Sequence, residues 1–221
     1  AAGAAVAVNT LSSREDAEAV VNEIRAAGGD AEVFLADISD AAAVRAMGEG
    51  VMKRFGKIDI LVLNASQRRE VLFKDMTFDD WRNTMSITLD GSFHCIKACL
   101  PSMLAQKSGN IITLGGDAVL LGGNRKSHNT TAKNGLVGLT RALALELAED
   151  GIRVNCVSPG SFNTSRPAHR SARADPKGKI PLGRIGEPEE IAASVRFLCG
   201  PGGGFITGQV LHVNGGAFIF A

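Results

Sequence analysis

The chain has no tyrosine, a single tryptophan and a net charge of only +1 over 221 residues. Without tyrosine, no phenol is available as an acid or base for catalysis. A charge this close to neutral gives no clustered basic face of the kind that nucleic-acid binding requires. The densest basic stretch, 166–179, is interrupted by Asp175 and two prolines, a pattern typical of a solvated loop rather than a nucleic-acid patch.

Long apolar runs are also missing. None approaches the ~20 residues of a membrane span, and no charged segment precedes an apolar core as in a signal peptide. The four cysteines, at 95, 99, 156 and 199, form no Cys-x-x-Cys pair, which fits a reducing cytosol and predicts no metal site. We therefore expect a cytoplasmic protein without a membrane or nucleic-acid partner.

Hydrophobic residues make up 45% of the chain, enough for the core of a single domain over 1–221. Predicted strands over 5–8, 31–36, 59–63, 110–114, 153–157 and 209–213 alternate with predicted helices over 12–27, 39–55, 78–100, 130–148 and 187–198. Ser12 with Glu15 has the pattern of a capping box, and Ser39 and Thr77 are predicted helix caps. This alternation predicts an α/β fold with a doubly wound parallel sheet and helices on both faces.

The stretch 110–133 concentrates the features of a ligand site. An apolar strand ends at Gly115-Gly116, a polar loop follows, and Thr130 opens a long amphipathic helix. Crevices at the carboxyl ends of parallel strands bind ligands in folds of this type. A small-molecule site is therefore expected at this edge of the sheet.

Several short motifs occur in a familiar order and spacing. They are Asp37 after a strand, Asn64-Ala65, Lys133, the octapeptide RVNCVSPG at 153–160, PLGRIGEP at 181–188, TGQ at 207–209 and VNGG at 213–216. Over essentially its whole length the chain resembles the short-chain dehydrogenases/reductases, in particular their 3-oxoacyl-carrier-protein-reductase-like branch. The resemblance implies a Rossmann-like fold, a nicotinamide cofactor and hydride transfer to or from a carbonyl or alcohol. It also implies a substrate lid over 161–186.

The chain departs from that family at the catalytic positions. Asn129 stands at the tyrosine position, Gly116 at the serine position and Thr88 at the position of the helix asparagine, whereas Lys133 is retained. The first βα unit of the family, with its glycine-rich phosphate loop, has no counterpart in the given chain. We expect the sequence to be part of a longer protein, the alternative being a fold without a dinucleotide-phosphate site.

Each catalytic candidate has a functional and a structural interpretation. Lys133 either holds the cofactor ribose, as the resemblance implies, or is a solvated helix lysine. Asn129 is a substrate hydrogen-bonding group or a helix N-cap, and His128 is a proton donor near pH 7 or a surface histidine. Asp117 is a base or a solvated loop carboxylate, and Gly116 is a turn residue or a means of widening the pocket.

The resemblance places cofactor contacts at the ends of successive strands. The predicted residues are Asn9, Ser12, Ser13, Asp37, Ile38, Asn64, Ala65, Ser66, Lys133, Pro159, Gly160, Phe162 and Thr164. Because no acidic residue stands among positions 9, 12 and 13 to bind a ribose 2′-hydroxyl, NADP(H) is favoured over NAD(H).

Three functions remain open at this point. The first is an NADP(H)-dependent oxidoreductase acting on a small carbonyl or alcohol. The second is a non-redox dehydratase, isomerase or cyclase that uses Asp117 or His128 on the same scaffold. The third is an inactive binding subunit. The resemblance further implies a homodimer or homotetramer assembled through the helices over 78–100 and 130–148.

Overall fold

Strands and helices alternate throughout the computed structural model, which describes residues 3–67, 69–117, 121–164 and 180–219. The strands are β1 (Val6–Thr10), β2 (Ala31–Leu35), β3 (Ile60–Leu63), β4 (Gly109–Leu114), β5 (Ile152–Pro159) and β6 (Val210–Val213). The helices are α1 (Arg14–Ala26), α2 (Ala41–Phe55), α3 (Phe78–Met85), α4 (Gly91–Gln106), α5 (Ser127–Glu146) and α6 (Pro188–Cys199). This order confirms the alternation that the sequence predicts.

All the strand pairs are parallel, as predicted, but they are divided between two sheets. β1 pairs with β2, and the second sheet has the order β3-β4-β5-β6. β4 is central in the second sheet, with Leu61 of β3 and Val154 of β5 on either side of Ile111. No pairing joins β1 to β3 among the described residues, and the predicted parallel α/β fold, which lacks a counterpart of the family's first βα unit, is otherwise confirmed.

Helices cover both faces of the four-stranded sheet, because successive side chains of a strand point to opposite faces. On one face, Ile111 of β4 belongs to a core cluster with Ile96 and Met103 of α4. On the other face, Ile112 of β4 packs in a cluster with Leu198 of α6. Packing on both faces fixes the position of the sheet, and with it the edge from which the loops after its strands leave.

Two of the predicted helix caps are wrong. α1 begins at Arg14 after Ser13, which makes no side-chain cap, so Ser12 and Glu15 do not form the expected capping box. At α2 the cap is Asp40, whose carboxylate accepts from two backbone N–H groups, whereas Ser39 donates to Asp37 instead. The predicted cap at Thr77 is confirmed, with a complete capping box to Asp80.

A π-helical turn, Ser86–Asp90, joins α3 to α4 and contains Thr88. Such turns are rare and are frequently found at functional sites. α5 begins at Ser127 rather than at the predicted Thr130, so Asn129 lies inside the first turn of this helix. No helix in the described part of the chain is long and apolar enough to span a membrane.

Candidate active site

The loops that follow β4, β5 and β6 meet at the carboxyl edge of the four-stranded sheet. The backbone N–H of Gly115 donates to Val157 O at 2.8 Å, and that of Asp117 donates to Pro159 O at 3.1 Å. Gly160 N donates to Val213 O at 2.9 Å. The expected crevice edge is therefore held by hydrogen bonds from the loops after β4 and β5 to the ends of the neighbouring strands.

Lys133 points into this edge rather than into solvent. The residue is 7% exposed, and its Nζ donates to Leu114 O, the last carbonyl of β4, at 2.5 Å. The interpretation of Lys133 as a solvated helix lysine is therefore wrong. Ser158 lies near the same carboxyl edge, and its buried Oγ has no hydrogen-bond partner among the described residues.

Asn129, at the position of the family tyrosine, makes a structural hydrogen bond. Its Nδ2 donates to Gln67 O at 2.8 Å, and the side chain of Gln67 accepts from Asn83 Nδ2 at 3.0 Å. The N-cap of α5 is Lys126, so the N-cap interpretation of Asn129 is wrong. Asn129 instead joins the start of α5 to the segment that follows β3.

His128 is buried, with 1% of its surface exposed, so the interpretation as a surface histidine is wrong. Neither ring nitrogen makes a hydrogen bond of ordinary geometry in the described part of the chain, although the Arg69 backbone is near enough to act on the pKa of the ring. Burial lowers the pKa of His128, and the nearby Asp80 carboxylate acts in the opposite direction. A ring that solvent does not reach is poorly placed to supply protons to a substrate.

Thr88 is fully buried in the π-helical turn. Its Oγ1 has no partner among the described residues, and its backbone carbonyl accepts from Ser92 Oγ at 2.6 Å. The position therefore retains a buried polar atom, but Thr88 has no amide with which to replace the family asparagine.

Gly116 has a backbone φ of 154°, and a Cβ at this position would meet nothing within 4 Å. The space for a serine side chain is thus present, but the backbone conformation is one that residues other than glycine rarely adopt. The geometry supports the interpretation of Gly116 as a turn residue, and its role in widening a pocket stays a prediction.

Asp117 is half-buried beside this turn, so its carboxylate is only partly solvated. Burial raises the pKa of Asp117 above its usual value, while a hydrogen bond from Asn214 and the proximity of His212 act in the opposite direction. The distance from Asn214 Nδ2 to Asp117 Oδ1 is 3.5 Å. Asp117 is therefore a titratable group at the carboxyl edge of the sheet.

The predicted adenosine contacts surround the ends of β1 and β2. Asn9 Nδ2 donates to Phe34 O at 3.1 Å and to Ala36 O at 3.2 Å, which commits its amide to the fold. Asp37 accepts from the hydroxyl of Ser39 at 2.7 Å, and this bond lowers the pKa of Asp37. Ser12 and Ser13 are exposed, whereas Ile38 is buried in the core.

The remaining predicted cofactor contacts lie at the ends of β3 and β5. Asn64 and Ala65 are exposed, and Ser66 is half-buried. Gly160 has no room for a side chain, because a Cβ there would lie 2.7 Å from Asn214 Cβ and 2.9 Å from Asp117 Oδ2.

Phe162 forms a parallel bridge to Gly186, which joins the two ends of the predicted lid. Thr164 N donates to Phe162 O at 3.0 Å. The middle of the predicted lid, 165–179, lies outside the described residues.

These residues fit the nicotinamide end of a dinucleotide. A buried cation at Lys133 and an orphaned hydroxyl at Ser158 lie near the carboxyl edge, where ligands bind in open α/β folds. No group of three or more potential metal ligands occurs in the part of the chain that the structure describes.

Sequence reasoning missed two residues of this site. Gln67 accepts bonds from both α3 and α5, and Asn214 reaches Asp117 from the turn after β6. The sequence could have indicated Asn214, because this residue belongs to the VNGG motif on which the family resemblance rests. No sequence signal indicated Gln67, because the residues that it contacts are distant from it in the sequence.

Comparison with known proteins agrees with this geometry. A family model described as enoyl-(acyl-carrier-protein) reductase matches residues 1–217. The 3-oxoacyl-[acyl-carrier-protein] reductase of Staphylococcus aureus is 39% identical over 216 residues, covering 97% of this chain and 88% of that protein.

Solved structures are also similar to this chain. A gluconate 5-dehydrogenase from Burkholderia cenocepacia, in complex with NADP and tartrate, has a TM-score of 0.89 at 30% identity, covering 97% of this chain and 86% of that one. A short-chain dehydrogenase/reductase from Brucella melitensis has a TM-score of 0.87 at 34% identity, covering 99% and 87%. The chain belongs to the short-chain dehydrogenase/reductase family, which binds nicotinamide cofactors, and to its 3-oxoacyl-carrier-protein-reductase-like branch.

Proposed function

We propose that the protein transfers a hydride between NADP(H) and a small carbonyl or alcohol substrate. The observation that carries this proposal is the buried Lys133 ammonium at the end of β4. The similar proteins are named as reductases and dehydrogenases, which favours hydride transfer over a dehydratase, an isomerase or an inactive subunit.

The chain's own residues would position the two reactants. Lys133, Pro159, Gly160, Phe162 and Thr164 would hold the nicotinamide end. Bound NADP(H) supplies the hydride in one direction and accepts it in the other. Lys133 adds a positive charge where a carbonyl oxygen becomes negative, and such fixed charges act strongly in a site that excludes water.

The adenosine end would contact residues that follow β1 and β2. Asp37 and Ile38 would hold the adenine, and Ser12 and Ser13 would lie near the ribose, together with Asn9. The segment 64–66 would border the cofactor at the end of β3. The 161–186 segment would cover the substrate, and the bridge between Phe162 and Gly186 supports this role by closing its base.

Proton exchange needs a group other than a tyrosine. Asn129 cannot take up or release a proton near neutral pH, and His128 is buried. Asp117 is half-buried at the carboxyl edge, and burial raises its pKa. We therefore assign proton exchange with the substrate oxygen to Asp117.

The Lys133→Met variant tests the proposed hydride transfer. Methionine keeps the apolar stem but removes the charge, so kcat should fall by about 10²- to 10³-fold. Steady-state nicotinamide absorbance with a panel of aldehydes, ketones, 3-oxo thioesters and the matching alcohols measures this effect. Lys97→Met, on the exposed face of α4, is the matched control. Calorimetric binding of NADPH without turnover of any panel member would contradict the proposal.

The Asp117→Asn variant tests the source of the proton. Because the protonated carboxyl is the donor in carbonyl reduction, the wild-type rate should fall as the pH rises through the raised pKa of Asp117. The variant should lose this fall of the rate with pH, and its kcat should be about 10²- to 10⁴-fold lower than that of the wild type. Rate profiles over pH in both reaction directions are the measurement. An unchanged profile would assign proton exchange to water instead.

The preference for NADP(H) rests on the loop after β1, and Arg14 adds to it. An arginine near this loop accommodates a 2′-phosphate, and Arg14 is exposed and pairs with Glu18, four residues further on, at 3.2 Å.

The Arg14→Glu variant should bind NADPH about 10- to 100-fold more weakly, since a charged hydrogen bond is lost, and NADH with unchanged affinity. Calorimetric titration of both cofactors measures this difference. Arg45→Glu, an equally exposed change on α2, is the control. Equal losses of affinity for NADH and NADPH would contradict the proposed contact between Arg14 and the 2′-phosphate.

We also propose a homodimer or homotetramer in the cytoplasm. Phe93 on α4 and Leu145 on α5 are 53% and 83% exposed, and both lie in the two predicted contact segments. The four cysteines are free thiols, as a reducing compartment requires.

Sedimentation velocity tests the assembly. The double variant Phe93→Glu, Leu145→Glu should lower the sedimenting mass, because it places charge in an apolar contact. Phe73→Glu, at a residue that is 73% exposed and outside both segments, should leave the mass unchanged. A wild-type monomer would refute the proposed assembly.

A further inference from the structure

A hydrogen bond links the segment after β3 to the start of α5. Asn129 Nδ2 donates to the backbone carbonyl of Gln67 at 2.8 Å. Gln67 directly follows Ser66, the last of the three residues that border the cofactor in the proposed function. Asn129 and Lys133 are four residues apart in one helix, so they lie on the same helix face. The bond therefore connects the cofactor-bordering segment to the face of α5 that carries the ammonium group.

The side chain of Gln67 makes a second connection, to α3. Its Oε1 accepts from Asn83 Nδ2 at 3.0 Å, and Oγ1 of the buried Thr84 lies 3.3 Å from the same oxygen. An amide oxygen has two lone pairs, so it can accept from both groups. Gln67 thus binds α5 through its backbone and α3 through its side chain, at the point where the chain leaves β3.

Packing in the core contributes little to holding the end of β3. Residues 64 and 65 are exposed, and residue 66 is half-buried, so few of their atoms can contact the hydrophobic core. A restraint on this segment must therefore come from its hydrogen-bonded neighbours. Gln67, the next residue along the chain, is the one that bonds to both α3 and α5.

Two further contacts lie beyond Gln67 along the same segment. Val71 N donates to Arg125 O at 2.9 Å, and Glu70 Oε1 lies 3.5 Å from Lys126 Nζ. These contacts hold the segment against the loop that precedes α5. They are further along the chain from 64–66 than Gln67 is, so the bond to Gln67 has the most direct effect on the cofactor-bordering residues.

We propose that Gln67 and Asn129 are positioning residues, which hold the segment 64–66 in a fixed place relative to Lys133. This inference rests on the proposed hydride transfer, because that function assigns both the segment and Lys133 to the cofactor. Asn129 acts through Gln67 and exchanges no proton, since a neutral amide does not titrate near neutral pH. Without the bond, the cofactor must order the two parts of its site as it binds, and this ordering weakens its affinity.

The Asn129→Asp variant tests this role, because it removes the donor and keeps the shape of the side chain. Position 129 is the third residue of α5, where an acidic side chain favours the helix through its dipole, so the helix should persist. The Kd for NADPH should rise by about 3- to 10-fold, the effect of one net hydrogen bond. Calorimetric titration of the full chain with NADPH measures this change.

Asn134→Asp is the matched control, since it makes the same substitution in the same helix. Asn134 Nδ2 donates to Thr130 O at 3.0 Å, which is a bond within α5 that does not reach the end of β3. Its Kd for NADPH should equal that of the wild type. Asn129→Gln keeps an amide donor and should bind NADPH more tightly than Asn129→Asp does.

Thermal unfolding with and without NADPH separates positioning from a purely structural role. Ligand stabilisation falls as the Kd rises, so NADPH should raise the melting temperature of Asn129→Asp by less than that of the wild type. A purely structural bond would lower both melting temperatures equally and leave the Kd unchanged. If Asn129→Asp does not fold, Asn129→Ala removes the donor without adding a charge, and alanine is the best helix former.

The outcomes distinguish this inference from the proposed function. An unchanged Kd in the variant that lacks the donor, or an equal rise in Asn134→Asp, would overturn the positioning role while NADPH-dependent turnover by the wild type upholds hydride transfer. A Kd for Asn129→Gln equal to that of Asn129→Asp would overturn it as well. A wild-type protein that does not bind NADPH would overturn both.

Discussion

Hydrogen bonding of β4 between two parallel neighbours is the constraint on which the site depends. β3 and β5 occupy both sides of this strand, so its loop can leave only at the carboxyl edge, beside the loop from β5. Clusters on both faces hold the register of the sheet. The last carbonyl of β4 then becomes the acceptor that fixes the Lys133 ammonium. A backbone carbonyl at the end of a buried strand thereby helps to position the ammonium group.

Two positions at which the sequence is predicted to depart from the family have structural roles. Asn129 ties α5 to the segment after β3, and Gly116 adopts a backbone conformation that a serine would strain. Restoring the family residues would therefore disturb local structure as well as chemistry. The nucleotide-binding scaffold and the acid–base groups are separable because the first depends on strand order and the second on a few loop side chains.

Local sequence signals predicted the elements well and their ends less well. The alternation of strands and helices, the cap at Thr77 and the breaks at glycine were correct because each depends on nearby residues. The cap at Ser39 was wrong because the neighbouring Asp40 competes for the same N–H groups and wins. The burial of His128 was missed because it depends on packing of its helix against α3, which is distant in the sequence.

By itself, the sequence determined the α/β class, the family and the absence of a tyrosine acid, because these follow from periodicity, motif order and composition. Only the tertiary structure decided the burial and the hydrogen-bond partners of the polar side chains near the site. It buried Lys133 at the end of β4 and placed Asn214 against Asp117. These outcomes depend on contacts between residues far apart in the chain, and local pattern carries no information about such contacts.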